Sequence, residues 1–349
     1  MTIAPGNSAK AWWHPESFAA RRGYLEQRQA MIRAVRGFFD GQGFYAVETP
    51  ALQVMPAADM HIHGFRTEYF GADLRPQRKF YLHTSPEFAM KKLLVAGCEK
   101  IYQICNVFRN GESTRLHSPE FALLEWYRAG ADYRDIMDDC VHLLRHVAAA
   151  LKIDHFQTAQ GQKADPYKEW QFISVAEAFA QYAGLELDRY LEDKAAFAAA
   201  IAEAGIRVAP DDAWDDLFFR VMAEKIEPYL GFGAPTILYN YPSSMASLSR
   251  KSPENSRYAE RFELYVCGIE LANAFSELTD TKEQRARFTQ EMLDKQALYG
   301  FSYPLDEDFL AALECGLPES GGIALGLDRL AMLCCGAERI DDVLWTGKP

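Results

Sequence analysis

With 349 residues, 49% of them hydrophobic, the chain can bury one large core, and no apolar run approaches the roughly 18 residues needed to span a bilayer. Its 37 Lys and Arg against 49 Asp and Glu give a formal charge of -12 with no basic run, which disfavours broad, non-specific binding to nucleic acid. Seven scattered cysteines without C-x-x-C, and an N-terminus "MTIAPGNSAKAWWHP" without a basic start or an apolar stretch, read as a chain kept in a reducing cytoplasm.

In chain order, residues 1–21 read as an irregular leader, and 22–349 as one domain. "FAARRGYLEQRQAMIRAVRGFFDGQG" repeats apolar residues at helical spacing and stops at glycines. "FYAVETPAL" is a short strand halted by Pro50, and "KFYLHTSPEFAMKKLLVAG" is a strand entering a helix at Ser85-Pro86-Glu87. "KIYQICNVFR" and "EFALLEWYRAG" are strands around the polar loop "NGESTRLHSP". Residues 132–152 are helical, "QTAQGQKADPYKEW" is a surface loop, and about 174–228 form a helical insertion. "TILYNYP" is a strand, "TDTKEQRARFTQEMLDKQALYG" an amphipathic helix, and "GGIALGLDRLAMLCCG" a strand running into a helix.

"RFELYVCGIELANAFSELTD" places Glu263, Glu270 and Glu277 seven residues apart. Helical spacing would put them on one charged face, but Tyr265, Val266 and Ile269 favour strand and Gly268 weakens a helix. The reading is two strands joined by a two-residue turn at Cys267-Gly268, with 265 opposite 270 and 266 opposite 269. Glu263 and Glu270 then share a face and offer oxygen ligands to Mg²⁺. Arg109, Arg115 and His117 in the loop form a clamp for phosphate oxygens, and Arg329 in the first turn of a helix favours an anion. Together these suggest a nucleotide triphosphate with its metal, although surface salt bridges account for the same residue types.

Order adds weight. A helix, a strand and Pro50, an "FR" strand-loop-strand ending in "HSPEFALLEWY", and a final "GIALGLDRLAM" resemble the three ordered signatures of class II aminoacyl-tRNA synthetases. Within that class, "TSPEFAMKKLLVAG" and "FELYVCGIELANAFSELTD" are similar to the lysyl-tRNA synthetase catalytic domain, over about residues 22–340. Too few residues precede the first helix for the anticodon-reading β-barrel. That absence, with "LLVAGCEKIYQICNVFRNGE" and "LLEWYR", resembles truncated paralogues that attach lysine to elongation factor P.

The resemblance implies an α+β fold, an antiparallel sheet flanked by helices, in a cytoplasmic homodimer joined through the first helix and the Pro50 strand. It implies an ATP- and Mg²⁺-dependent ligase that makes an aminoacyl-adenylate and passes the acyl group to a lysine of elongation factor P, without anticodon or membrane binding. Arg109 and Arg329 would be catalytic, and Asn110, Gly111, Glu112, His117, Ser118, Phe121, Glu270, Leu271 and Gly326 would join them around ATP. Glu263 and Glu270 would hold magnesium. Ser85, Pro86, Glu87, Tyr127, Asn273, Glu277 and Ala324 would form the amino-acid pocket, with Glu87 and Glu277 for the two ammonium groups of lysine or (R)-β-lysine.

Three departures from the family pattern bear on this. "RNGE" leaves the nucleotide contact to Glu112 or to the Gly111 backbone, Ser118 replaces an asparagine, and Ala324 replaces a glycine, which the resemblance links to (R)-β-lysine. Strict alternation would send Asn273 and Glu277 away from Glu270, so a bulge or twist is expected near "LANA". The rivals are lysine activation for another acceptor, an asparagine synthetase-like amidoligase, a non-catalytic amino-acid sensor, and tRNA charging. The pairs His61/His63 and His142/His146 lack a third metal ligand. Cys98, Cys334 and Cys335 read as small apolar residues, and Tyr239, Tyr241 and the aromatics around Trp126 as core.

Overall fold

The helical period near the N-terminus folds as α1 (Pro15–Gly41) in the computed structural model, which describes residues 11–246 and 248–348. Its first turn is capped by His14, whose Nδ1 accepts from Glu16 N at 3.3 Å, and Pro15 stands where a missing N–H costs nothing. Residues 15–21 of the expected irregular leader are therefore helical, and its residues 1–10 lie outside the described residues.

The chain continues as β1 (Tyr45–Ala46), β2 (Leu52–Gln53), β3 (Arg66–Phe70), β4 (Pro76–Leu82), α2 (Glu87–Val95), β5 (Lys100–Phe108) and β6 (Glu120–Ala129). After α3 (Tyr133–Leu151) come β7 (Phe156–Gln157), β8 (Lys163–Ala164) and β9 (Gln171–Ser174), then α4 (Val175–Ala178), α5 (Lys194–Glu203) and α6 (Trp214–Val221). Next are β10 (Thr236–Pro242), β11 (Tyr258–Val266), β12 (Ile269–Ser276), α7 (Thr281–Tyr299), α8 (Glu307–Gly316), β13 (Ser320–Gly326), α9 (Leu327–Cys335) and α10 (Ile340–Val343). The strand expected at 44–52 is broken around Pro50 into the two-residue pieces β1 and β2, and the loop expected at 157–170 contains the β7–β8 hairpin.

Eight strands form one sheet in the order β1-β5-β6-β13-β12-β11-β10-β9. From β5 to β10 every neighbour is antiparallel, and β1 and β9 close the two edges in parallel. The chain thus adopts the expected α+β class. Met31, Val35 and Phe39 of α1 share a core with Leu144 and Val147 of α3 and Leu124 of β6. Phe88 of α2 and Phe309 of α8 stack at 4.7 Å in a second core with Phe288 of α7. Between β9 and β10 the helical segments build a third core around Phe179, Phe197 and Phe218, tied to the sheet through Leu238, Tyr241 and Tyr265. Each such buried ring contributes about 1.5–3 kcal/mol over exposure.

The glutamate hairpin shows how local sequence sets the site. Tyr265 pairs with Glu270 and Val266 with Ile269, the register expected from a two-residue turn. Cys267 (φ 54°) and Gly268 (φ 75°) both have positive φ, as a type I′ turn requires. The strained Cys267 is held because its N–H donates to Gly231 O at 2.7 Å, and Gly268 N–H donates to Leu230 O at 3.0 Å. Past Tyr265 the pairing jumps from Glu270 to Ala272, so Leu271 is an extra, bulged residue. This is the irregularity expected at "LANA". It returns Asn273, opposite Glu263, to the face of Glu270, and Glu277 follows two steps later.

Candidate active site

A cleft of ≈ 350 Å³ opens on that face of the sheet, walled by β6, β11, β12, β13, the start of α2, the loop before β3 and the first turn of α9. Arg109, His117, Ser118, Phe121, Glu263, Glu270, Leu271, Gly326 and Arg329 line one part of it. Ser85, Glu87, Tyr127, Asn273 and Ala324 line another. Asn110, Gly111, Glu112 and Pro86 lie outside the wall, and Glu277 is sealed directly behind it, 1% exposed, against Gly322 and Tyr127.

At the first end cations converge. Arg329 donates from Nη1 to Glu270 O at 2.8 Å, and its Nη2 lies 2.5 Å from His117 Nε2. Burial first, then Arg329, lowers the His117 pKa, so the neutral ring accepts at Nε2 and donates from Nδ1 to Thr114 Oγ1 at 2.7 Å. The Arg109 guanidinium lies 5.3 Å from the Phe121 ring centroid, a stacked surface suited to a base or ribose. Ser118 Oγ is buried and has no hydrogen-bond partner among the described residues, which suits it to a ligand. Behind them Asp328 pairs with Arg28 of α1 and accepts from Ala122 N at 2.8 Å, which ties the start of α9 to α1 and β6.

The acidic pair sits beside these cations. Glu263 accepts from Arg261 Nη2 and from Tyr265 OH, both at 2.8 Å. Burial, then the charge of Glu263, pushes Glu270 up to about 7, against the pull of Arg329, Arg261 and Arg109. Although solvent reaches Glu270, protein atoms crowd it inside the cleft. A divalent cation would relieve this repulsion, so the donor set fits magnesium. Among the described residues no cluster of three or more metal-ligating side chains occurs, so the other ligands would be water and phosphate oxygens.

At the second end carboxylates converge. Glu125 accepts from Ser85 Oγ at 2.7 Å and from Tyr127 OH at 2.6 Å. Ser85 Oγ also accepts from Glu87 N at 3.0 Å, which fixes the start of α2. Lys91, buried one turn along α2, lies 2.6 Å from Glu87 Oε1 and pairs with Glu277 Oε2, while its ammonium stands 5.3 Å from the Phe275 ring. Burial works against the Lys91 ammonium, but the charges of Glu277 and Glu87 outweigh it and raise the Lys91 pKa. One cation does not satisfy three carboxylates: burial pushes Glu125 and Glu277 each up to about 8. Gly322 is needed where it stands, because a Cβ there would run into Glu277 and Tyr127.

Several of these residues escape motif reading. Glu125 alternates with Tyr127 on one face of β6, so a lone carboxylate in an apolar strand was its signal. Lys91 follows Glu87 by four residues on one helix face. Arg261, which holds Glu263 and donates from Nε to Asn273 Oδ1 at 3.0 Å, lies two residues before Glu263 on the same strand face.

A family model described as tRNA synthetases class II (D, K and N) matches residues 18–348. The chain is 39% identical over 334 residues to a protein of Pectobacterium carotovorum subsp. carotovorum named elongation factor P--(R)-beta-lysine ligase, covering 95% of this chain and 96% of that one. Proteins of the same name from Proteus mirabilis and Edwardsiella ictaluri are 38% identical, covering 95% and 97% of this chain and 96% and 98% of their own lengths. On both counts, the chain belongs to the class II tRNA synthetase (D, K and N) family.

Proposed function

We propose that this chain is an ATP-dependent ligase that activates (R)-β-lysine and transfers it to the ε-amino group of a lysine on elongation factor P. The Leu271 bulge carries the reading, because it returns Asn273 to the face of Glu263 and Glu270, so that this acidic pair and the carboxylates around Glu87 border one cleft. The names of the full-length relatives support the acceptor and the amino acid. In the cleft floor Ala324 stands between Asn273 and Glu125 in register, where its methyl group shapes the space for the substrate chain.

In the first half-reaction the amino-acid carboxylate attacks the α-phosphate of ATP and pyrophosphate leaves. Arg109 stabilises the charge that develops on the α-phosphate, and Arg329 takes the far phosphates with neutral His117 beside it. Glu263 and Glu270 would hold magnesium, which would supply charge neutralisation for the phosphates. Glu87, Glu125 and, behind them, Glu277 set the negative field that selects a substrate with two ammonium groups. In the second half-reaction the acceptor amine attacks the acyl carbon, loses a proton, and AMP leaves.

The same reading places the protein in the cytoplasm, in keeping with its seven unpaired cysteines. It also makes the chain a homodimer, with α1 and the Pro50 segment at the interface; Tyr45 and Leu52 are exposed apolar surface there. Intact-mass analysis of elongation factor P after incubation with enzyme, ATP, magnesium and each lysine isomer tests the proposal. A gain of one lysyl group, larger with (R)-β-lysine, is expected. No gain, with charging of lysine tRNA instead, would overturn it.

A further inference from the structure

Lys295, on α7, is fully buried, and among the described residues no carboxylate comes within ion-pair distance of it, although Asp59 and Glu291 are near enough to act on its charge. Its ammonium donates to the carbonyls of Met60 (2.6 Å) and Ile62 (3.0 Å) and contacts His63 Nδ1 (3.2 Å). Three rings enclose it, with centroids at 5.6 Å (Tyr299), 5.4 Å (Phe301) and 4.9 Å (Tyr303). A buried ammonium whose direct partners are carbonyls, an imidazole and aromatic faces, with the Asp59 and Glu291 charges further off, is costly to maintain. The segment it binds lies between β2 and β3, and Pro56, Ala57, Ala58, Asp59 and Ile62 of that segment form a wall of the cleft.

The same region of α7 and the chain after it hold this wall at further points. Met60 N donates to Glu291 Oε2 at 3.1 Å, Gly64 N donates to Tyr303 OH at 2.9 Å, and His61 Nδ1 is 2.9 Å from Tyr299 OH. On the cleft side, Thr84 Oγ1 donates to Pro56 O at 2.6 Å and Asn110 N donates to His63 O at 2.7 Å, so the wall also touches the loop that carries Arg109. Without Lys295, two backbone carbonyls lose their donor and the aromatic box loses the cation at its centre.

We propose that Lys295 is a positioning residue that latches the 55–64 segment against the cleft and thereby sets amino-acid binding and the retention of the activated acyl group. This rests on the amino-acid activation proposed above. The substitution Lys295→Met keeps the apolar stem and removes every donor. With melting curves used to select folded protein, Lys295→Met is expected to raise KM for the amino acid about tenfold, with KM for ATP changed less than about twofold. Release of AMP without acyl transfer should increase, and Lys295→Arg should recover most of the loss.

Amide exchange at 57–63, which needs no catalysis, should quicken in Lys295→Met and stay slow in wild type. Tyr303→Phe, which removes only the Gly64 N–H acceptor, should move the same readouts in the same direction by a smaller factor. If Lys295→Met does not fold, the Tyr303→Phe result decides. Equal rises in both KM values, or unchanged exchange at 57–63, would overturn the latch. A wild-type enzyme inactive with both lysine isomers would instead overturn the proposed function, and the amide-exchange comparison would still test the latch.

Discussion

The two ends of the cleft solve opposite electrostatic problems with the same strands. At the end near α9, Arg109, Arg261 and Arg329 outnumber Glu263 and Glu270, and a neutral histidine fills a position where a further charge would repel them. Near the start of α2, Glu87, Glu125 and Glu277 outnumber Lys91. One end is short of negative charge and the other of positive charge. Under the proposed function, a triphosphate would complete the first and a diammonium substrate the second.

The contrast can be broken most severely at its cationic end. Arg109→Ala should lower amino-acid-dependent pyrophosphate exchange by about 10²–10³-fold, because it removes a donor aimed at charge that develops in the transition state. Exchange within tenfold of wild type would move that role elsewhere. At the acidic end, Glu87→Gln should weaken amino-acid binding more than about tenfold while KM for ATP holds. A comparable rise in KM for ATP would mean that the two ends are not separate.

Protonation sharpens the same contrast. Burial pushes Glu125 and Glu277 up to about 8, so each gives up its proton more readily as the pH rises or as an ammonium group arrives beside it. The affinity for ammonium groups should therefore rise with pH, and KM for the amino acid should fall by up to about tenfold between pH 6.5 and 8.5. A flat profile would remove these carboxylates from substrate binding. The smallest expected effect is that of Ala324→Gly, which takes one methyl from the floor. It should shift the preference between α-lysine and (R)-β-lysine by about 10-fold or less, read from the ratio of kcat/KM values.

Much of this was legible before the structure. The Cys267-Gly268 turn follows from strand propensity, and the break near "LANA" from the clash between strict alternation and the single site that the family resemblance implies; both occur, the break as a bulge at Leu271. Harder to read was anything joined across the chain. Arg28 meets Asp328 only because α1 packs beside α9, and Lys91 meets Glu277 only because α2 packs on β6, two strands from β12 in the sheet. Motif order grouped Asn110, Gly111 and Glu112 with Arg109, yet the chain turns away after Arg109, with Gly111 at φ 90°, and carries them off the wall. The first turn of α1 precedes the apolar repeat that begins at Phe18, and its signal is the helix entry at His14 and Pro15.

A cation-lined end and a carboxylate-lined end share one cleft, which the proposed function matches to ATP and a lysine-type amino acid. Pyrophosphate exchange with α-lysine, (R)-β-lysine and aspartate, at saturating ATP and magnesium, tests it most directly. The account predicts exchange with the lysine isomers, strongest with (R)-β-lysine, and none with aspartate. Exchange with aspartate alone would contradict it.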